Sequence, residues 1–252
     1  MTIYRWIDGS MRLGWRVVIF AYLFGGKVAM ATDIVPPPEA DPHYTKVGFF
    51  DIHVCNWPNQ PLFFLGLFST YDYDKVGRVE LFTPDDRPIG ELDLSKYRLI
   101  KQKDKPEKRA FIKHFDIPEN ARDGWYKAIA TMKDGRRYAA ADFVVIHKME
   151  RAQHLQPADG AENLPLPKEL RWDPIPGAKF YQVFIRDAWE DKLVYESSLL
   201  TESRLALPKG IIQAGGYYQW RIHARDVNEN VLLGDFNHGS LTDPATFSVV
   251  AE

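Results

Sequence analysis

The chain has 252 residues, of which 45% are hydrophobic and 26% are charged, and its formal net charge is −2 at pH 7. This length fits one large domain or two domains of about 100 residues each. The mild acidity and the lack of a polybasic run argue against nucleic acid or an anionic membrane surface as the partner, because both call for a basic patch.

Residues 1–31 have the features of a secretory signal peptide. An apolar run over 17–26 follows two arginines, and small residues ending at Ala31 occupy the positions that a signal peptidase reads. We predict cleavage after Ala31, with translation starting at Met1 or at Met11. The alternative is an uncleaved membrane anchor, but the apolar run is far shorter than the roughly 20 residues that span a bilayer. We therefore expect a periplasmic or secreted protein without stable membrane insertion.

Residues 32–45 follow the predicted cleavage point and form a proline-rich, extended N-terminal segment. Cys55 is the single cysteine of the chain, so an intramolecular disulfide is excluded. Burial in a strand and pairing between chains are the two alternatives for such a thiol in an oxidising compartment.

Residues 46–147 predict an all-β domain. Short runs of β-branched and aromatic residues alternate there with Gly, Pro, Asp and Asn. The predicted strands are 47–54, 62–70, 78–83, 89–92, 109–115, 125–132 and 138–146. On the strand over 125–132, alternation places the even-numbered residues, from Tyr126 to Met132, on the core face.

The end of this first region resembles the closing strands of bacterial immunoglobulin-like domains. The matching residues are Asp-Gly-Trp-Tyr-Lys-Ala at 123–128, Lys-Asp-Gly-Arg at 133–136 and Phe-Val-Val at 143–145. The resemblance implies an antiparallel β-sandwich over 46–147.

Residues 148–163 are polar and rich in turn formers, and we predict that they link two domains. A short helical turn over 148–154 is one option within this linker. Pro165 and Pro167 make the chain that follows extended and stiff.

The last third of the chain resembles a fibronectin type III domain over about 164–250. The matching runs are Leu-Arg-Trp-Asp-Pro-Ile-Pro-Gly-Ala at 170–178, Phe-Tyr-Gln-Val-Phe-Ile-Arg at 180–186 and Gly-Gly-Tyr-Tyr-Gln-Trp-Arg-Ile-His-Ala-Arg-Asp at 215–226. The resemblance implies a second sandwich over 164–252, a fold that serves mostly as a spacer or binding surface. The predicted architecture is therefore two tandem antiparallel β-sandwiches, immunoglobulin-like and then fibronectin type III-like.

This resemblance also predicts which side chains form the second core. Trp172 is expected on the second strand as the core aromatic, and Tyr181 faces inward on the third. Trp220 is expected to face inward on the sixth strand. Tyr218 occupies the place of the corner tyrosine, whose hydroxyl would bond to the backbone of the preceding loop.

Sequence motifs for catalysis and cofactors are lacking. The chain contains no Gly-x-Ser-x-Gly elbow, no phosphate-binding Gly-x-x-x-x-Gly-Lys loop and no His-Glu-x-x-His pair. We expect a protein that is not an enzyme and has no cofactor. Asp51, His53 and Cys55 share one face of a strand and are the only weak candidates for a soft metal such as copper, but we favour their lying on the polar side of a sheet without a metal.

Exposed aromatic and amide side chains supply the binding candidates. Trp189 lies in a charged turn, Tyr71 and Tyr73 flank an acidic loop, and Asn228 and Asn230 lie in a long tip that ends at residue 244. Exposed rings can anchor a protein partner or stack on a sugar. The alternative is that these rings pack on the neighbouring domain and bind no ligand. Recognition is therefore expected at the Trp189 turn, at the tip, or at the junction of the two domains.

The leading hypothesis is an exported, non-enzymatic binding or structural protein. Its two modules would face a protein partner in the cell envelope or outside the cell. One alternative is a carbohydrate-binding protein that uses the exposed loop aromatics, and a second is a metal-handling periplasmic protein.

Overall fold

A computed structural model describes residues 33–101, 103–227 and 236–251. The predicted signal peptide and the candidates Asn228 and Asn230 lie outside these residues. The described chain is all-β and contains no helix.

The first nine strands lie between residues 34 and 144. They are β1 (Ile34–Val35), β2 (Phe49–Asn56), β3 (Phe63–Thr70), β4 (Val76–Phe82), β5 (Pro88–Glu91), β6 (Tyr97–Ile100), β7 (Lys108–Asp116), β8 (Gly124–Met132) and β9 (Arg137–Val144). Five of them form a sheet in the order β1-β9-β8-β4-β5, in which only the β1–β9 pair is parallel. The seven strands predicted in this region match β2 to β5 and β7 to β9.

Eight further strands follow. They are β10 (Ala161–Leu164), β11 (Glu169–Arg171), β12 (Phe180–Asp187), β13 (Lys192–Glu196), β14 (Arg204–Ala206), β15 (Tyr217–Arg225), β16 (His238–Leu241) and β17 (Ala245–Val249). A ten-stranded sheet has the order β10-β17-β15-β16-β2-β3-β7-β6, with β12 also paired to β15 and β13 paired to β12. The remaining strands, β11 and β14, pair with each other.

The first hydrophobic cluster packs the five-stranded sheet against β2, β3 and β7. Alternating side chains along the strands form this cluster. On β8, the predicted core residues Tyr126, Ala128, Ala130 and Met132 are all buried in it. Phe64 meets Tyr126 edge to face, with ring centroids 5.1 Å apart.

The second cluster contains the side chains predicted from the fibronectin-like pattern. Tyr181 and Trp220 are buried in it. Trp172 is buried too, but it follows β11, which ends at Arg171, instead of lying on a strand. The Tyr218 hydroxyl accepts a hydrogen bond from the backbone N–H of Gln213 at 2.9 Å, which is the predicted bond of a corner tyrosine.

The segment predicted as a linker, 148–163, is packed against the sheets. Met149 and Ala152 are buried in the second cluster, and the Met149 carbonyl accepts a hydrogen bond from the Asn56 side chain at 2.9 Å. The option of a helical turn over 148–154 is wrong, because this stretch contains no helical turn and the carbonyls of Met149 and Glu150 accept hydrogen bonds from the side chains of Asn56 and Ser240. The segment also contains most of β10, which pairs in parallel with β17.

A parallel strand pair joins the two halves of the chain. Residues 238–240 on β16 lie beside 54–56 on β2, so the ten-stranded sheet runs without a break from one half to the other. Next to this pair, Cys55, Phe63 and Phe236 form a small third cluster. One face of the sheet therefore draws its side chains from both halves of the sequence.

Candidate functional site: the junction groove

The junction groove is a depression of about 630 Å³ on the face of the ten-stranded sheet that lies outside the two large clusters. Strands β2, β3, β6 and β7 line one side of it, and β12, β13, β15 and β16 line the other. The groove is therefore built by strands that are distant in sequence and adjacent in the sheet.

Strand register aligns the lining residues in lateral rows. One row contains Glu196, Phe184 and Arg221, which are paired across β13, β12 and β15. A second row contains Gln182, His223 and Leu241. On the other side, a third row contains His53, Leu65 and His114. Since side chains of paired residues point to the same side of a sheet, each row presents its members to one surface.

Phe236 lies where the two sides of the groove meet. Its ring centroid is 4.0 Å from the His53 ring and 5.1 Å from the His223 ring, and the Arg225 guanidinium carbon lies 5.5 Å from it. Gly239 permits this approach, because a β-carbon there would come within 2.5 Å of the Phe236 ring and 3.0 Å of His223 Nε2.

A chain of hydrogen bonds fixes the polar groups of β12, β13 and β15. Gln182 donates its amide to Glu196 at 2.7 Å and accepts a hydrogen bond from Arg225 Nη2 at 2.9 Å. The same Arg225 nitrogen lies 3.1 Å from His223 Nδ1. A guanidinium only donates, so His223 Nδ1 is an acceptor.

His223 is neutral and presents a hydrogen-bond donor. Burial, together with the positive charge of Arg225, lowers the pKa of His223 to about 3. With Nδ1 accepting, the ring proton is on Nε2, and this buried atom has no hydrogen-bond partner among the described residues. Trp57 Nε1, a second lining donor, is also buried without a described partner. Both of these atoms, His223 Nε2 and Trp57 Nε1, are hydrogen-bond donors.

The groove also contains arginines that no carboxylate neutralises. Most other arginines of the described chain lie within 4.0 Å of acids, as in the pairs Arg78–Glu80, Arg87–Asp85 and Arg151–Asp243. Arg98 and Arg221 line the groove, are exposed, and have no carboxylate of a described residue within that distance. The Arg221 guanidinium lies 5.9 Å from the Phe184 ring centroid.

The predicted polar side of β2 is buried instead of solvated. Asp51, His53 and Cys55 each have no more than 2% of their surface exposed, and Phe236 packs against His53 and Cys55. His53 Nε2 lies 2.8 Å from Asp51 Oδ2, and burial raises the pKa of the Cys55 thiol. In the parts of the chain that the structure describes, no three His, Cys, Asp or Glu side chains are grouped closely enough to hold a metal ion.

The predicted aromatic candidates lie outside the groove. Trp189 is 77% exposed, packs its ring 5.5 Å from that of Tyr217, and belongs to a turn whose backbone N–H groups at 189 and 190 bond to Asp187. Tyr71 is exposed with Lys108 Nζ 5.4 Å from its ring centroid. Tyr73 is half-buried, and the guanidinium of Arg109 lies 3.9 Å from its ring centroid. None of the three rings lines the junction groove.

Several groove residues were missed by sequence reasoning, namely Trp57, Arg98, Phe184, Arg221, His223 and Phe236. One signal was present: Arg221, His223 and Arg225 alternate on the strand whose other face is the core, so three cationic or imidazole side chains share one face of β15. The lining residues on β6 and β7 carried no such signal. They share a groove with β15 only because β16 pairs with β2, and this pair joins residues that are distant in sequence.

No family model matches the chain, and no curated protein matches it. Among solved structures, SGBP-B from the mixed-linkage glucan utilization locus of Bacteroides ovatus, in complex with a mixed-linkage heptasaccharide, is 14% identical over 77% of this chain and 42% of that chain, with a TM-score of 0.22. Dimeric latent PorU from Porphyromonas gingivalis is 13% identical over 81% of this chain and 20% of that chain, with a TM-score of 0.29. The chain thus spans less than half the length of either structure, and TM-scores of this size establish no shared fold.

A search of the described residues for a membrane-spanning helix, long and apolar enough to cross a bilayer, finds none.

Proposed function

We propose that this protein is an exported, non-enzymatic binding protein that holds a protein partner in the junction groove. In this proposal the immunoglobulin-like sandwich over 46–147 and the fibronectin type III-like sandwich over 164–252 act together. The observation that carries it is the unbroken sheet through β16 and β2, which gives the groove walls from both halves and aligns polar and apolar side chains on one open face.

The chemistry of the lining residues supports binding over catalysis. A histidine with a pKa of about 3 is a poor general base near neutral pH, and the His223 ring is fixed by Arg225. Cys55 is buried with a raised pKa, so its thiolate is disfavoured. Glu196 is the single carboxylate among the described lining residues, and Gln182 occupies one of its oxygens.

Crosslinking in the producing cells tests the proposal. We expect a partner protein to be captured by the wild type and to be lost from the Arg221→Glu variant, because charge reversal opposes the groove's surface potential. Arg137→Glu is the matched control, since Arg137 lies on the other sheet and also has no described carboxylate within 4.0 Å. Identical capture by all three proteins would contradict the proposal, as would turnover of a glycosidic, ester or peptide substrate that one carboxylate change abolishes.

Glycan binding at the Trp189 turn is a second candidate function. Its support is local: the ring is 77% exposed, and Asp187 holds the turn through two backbone hydrogen bonds, so the ring is presented without support from the core.

We expect any glycan signal on an array to disappear in the Trp189→Ala variant while the folded state is kept. Trp125→Ala is the control, because Trp125 is a second exposed tryptophan on another sheet. Silence of the wild type across the array, or an equal loss in both variants, would reject this candidate.

A further inference from the structure

The charge of the groove distinguishes between partners. Arg98 on β6 and Arg221 on β15 stand at its two sides, exposed and without a carboxylate of a described residue within 4.0 Å. Glu196 offsets part of the charge of Arg225 through Gln182, and it lies beyond 4.0 Å of Arg221. The exposed rims are therefore positive, and a bound chain would need negative groups at both ends to be complementary.

The floor between these arginines is apolar, with four aliphatic side chains and the aromatic rings of Trp57, Phe184 and Phe236. Leu65, Leu67, Ile112 and Leu241 all line the groove. None of these rings is a free stacking platform for a sugar: Phe236 is 3% exposed, Trp57 is half-buried against Phe63, and the half-buried Phe184 ring has the Arg221 guanidinium 5.9 Å from its centroid. Aliphatic floors accept apolar side chains, whereas sugar sites rely on exposed aromatic faces. The floor favours a polypeptide over a glycan.

The sheet also sets the direction in which an occupant crosses it. Going from β15 to β6 crosses β16, β2, β3 and β7, which is five interstrand steps, or an arc of about 24 Å at ~4.8 Å per step. Register adds an offset along the strands, because Arg98 lies in the row of Phe49, whereas Arg221 lies four residues beyond Arg225, which is in the row of Cys55. A segment that reaches both arginines therefore runs obliquely across the strands.

The geometry points to an occupant: an extended segment of the partner protein that crosses the strands obliquely, with apolar side chains on the floor and Asp or Glu side chains at Arg98 and Arg221. This inference rests on the proposed function and adds the chemistry of the recognised segment.

Selection from a library of phage-displayed random peptides on the purified protein tests the inference. We expect the selected sequences to combine Asp or Glu with apolar residues. A synthetic peptide of the selected sequence should bind about tenfold more weakly to Arg98→Glu and to Arg221→Glu, and should bind Arg137→Glu as it binds the wild type. Binding should also weaken as NaCl rises from about 50 to about 500 mM.

The outcomes separate this inference from the proposed function. Failure to enrich any sequence, enrichment of neutral or basic peptides, or binding that ignores both groove variants would overturn it. Groove-dependent binding of oligogalacturonate in place of peptides would overturn it too, since the ligand would then be an acidic sugar. If partner capture still depends on Arg221 in any of these cases, the proposed function stands and only the ligand chemistry is wrong. Both arginines are exposed, so an unchanged thermal midpoint of each variant verifies folding.

Discussion

Trp220 is the largest fully buried side chain of the described chain, and its ring centroid lies 6.4 Å from that of Trp172. The indole nitrogen of each ring is buried without a hydrogen-bond partner among the described residues. Both rings therefore contribute through packed apolar area, with no hydrogen bond to offset the desolvation of the N–H group. This makes Trp220 a direct test of the second cluster.

Replacing Trp220 with alanine should lower the free energy of unfolding by about 3–5 kcal/mol, because it leaves a large cavity in a packed core. Trp172→Ala should have an effect of the same order. Trp220→Phe is the control and should cost less, since it keeps an aromatic ring and removes an N–H group that lacks a partner. Urea unfolding measures all three, and wild-type stability in Trp220→Ala would show that β15 does not face the core.

Strand β16 illustrates an element that is held from both sides. His238 at its start has Nδ1 2.7 Å from Asp226 Oδ2 and Nε2 2.7 Å from the Val145 carbonyl. Both partners are acceptors, so the imidazolium is the form that donates to both. Burial alone would lower the pKa of His238, but these two hydrogen bonds outweigh it and raise the pKa above its ordinary value of 6.5. The ring of His147, 4.5 Å away, is the neighbouring titratable group.

The stability contributed by His238 should be complete below pH 6.5 and should fall as the pH rises through the raised pKa. The sign follows from linkage, because the folded state binds the proton more tightly than the unfolded state does. His238→Gln should flatten this decline in the free energy of unfolding measured by denaturant titration at several pH values. His43, whose pKa is raised to about 9 by its hydrogen bond to Asp142, contributes in the same direction in both proteins. Parallel curves for wild type and variant would contradict the assignment.

Strands with regular alternation were predictable, whereas two short strands without it were not. The strand over Gly124–Met132 alternates buried and half-exposed residues, which is the pattern that sequence reasoning detects. β6 and β10 are four residues each, with exposed side chains and no alternation. On β2 the sequence placed Asp51, His53 and Cys55 on one face, but it did not show that this face is buried as well.

The whole molecule is organised by pairings between residues that are far apart in sequence. Local patterns in each half predicted most strands and the core faces of β8 and β15. They did not predict that β16 lies beside β2, because strand pairing across this separation depends on the complete chain. The junction was among the three places where recognition was expected, but the residues at Trp189 and Tyr71 that stood out in the sequence lie elsewhere. The groove could be located only after the two halves were placed side by side.

The parallel pair of β16 and β2 also constrains how the protein can be divided. A fragment ending near residue 147 would leave β2 with one open edge, and this strand reads Phe-Phe-Asp-Ile-His-Val-Cys-Asn. An uncovered edge of that composition offers unpaired backbone groups and apolar side chains to any other chain, which is the usual origin of edge-to-edge aggregation. β16 therefore protects the first half of the molecule from self-association, in addition to forming one wall of the groove.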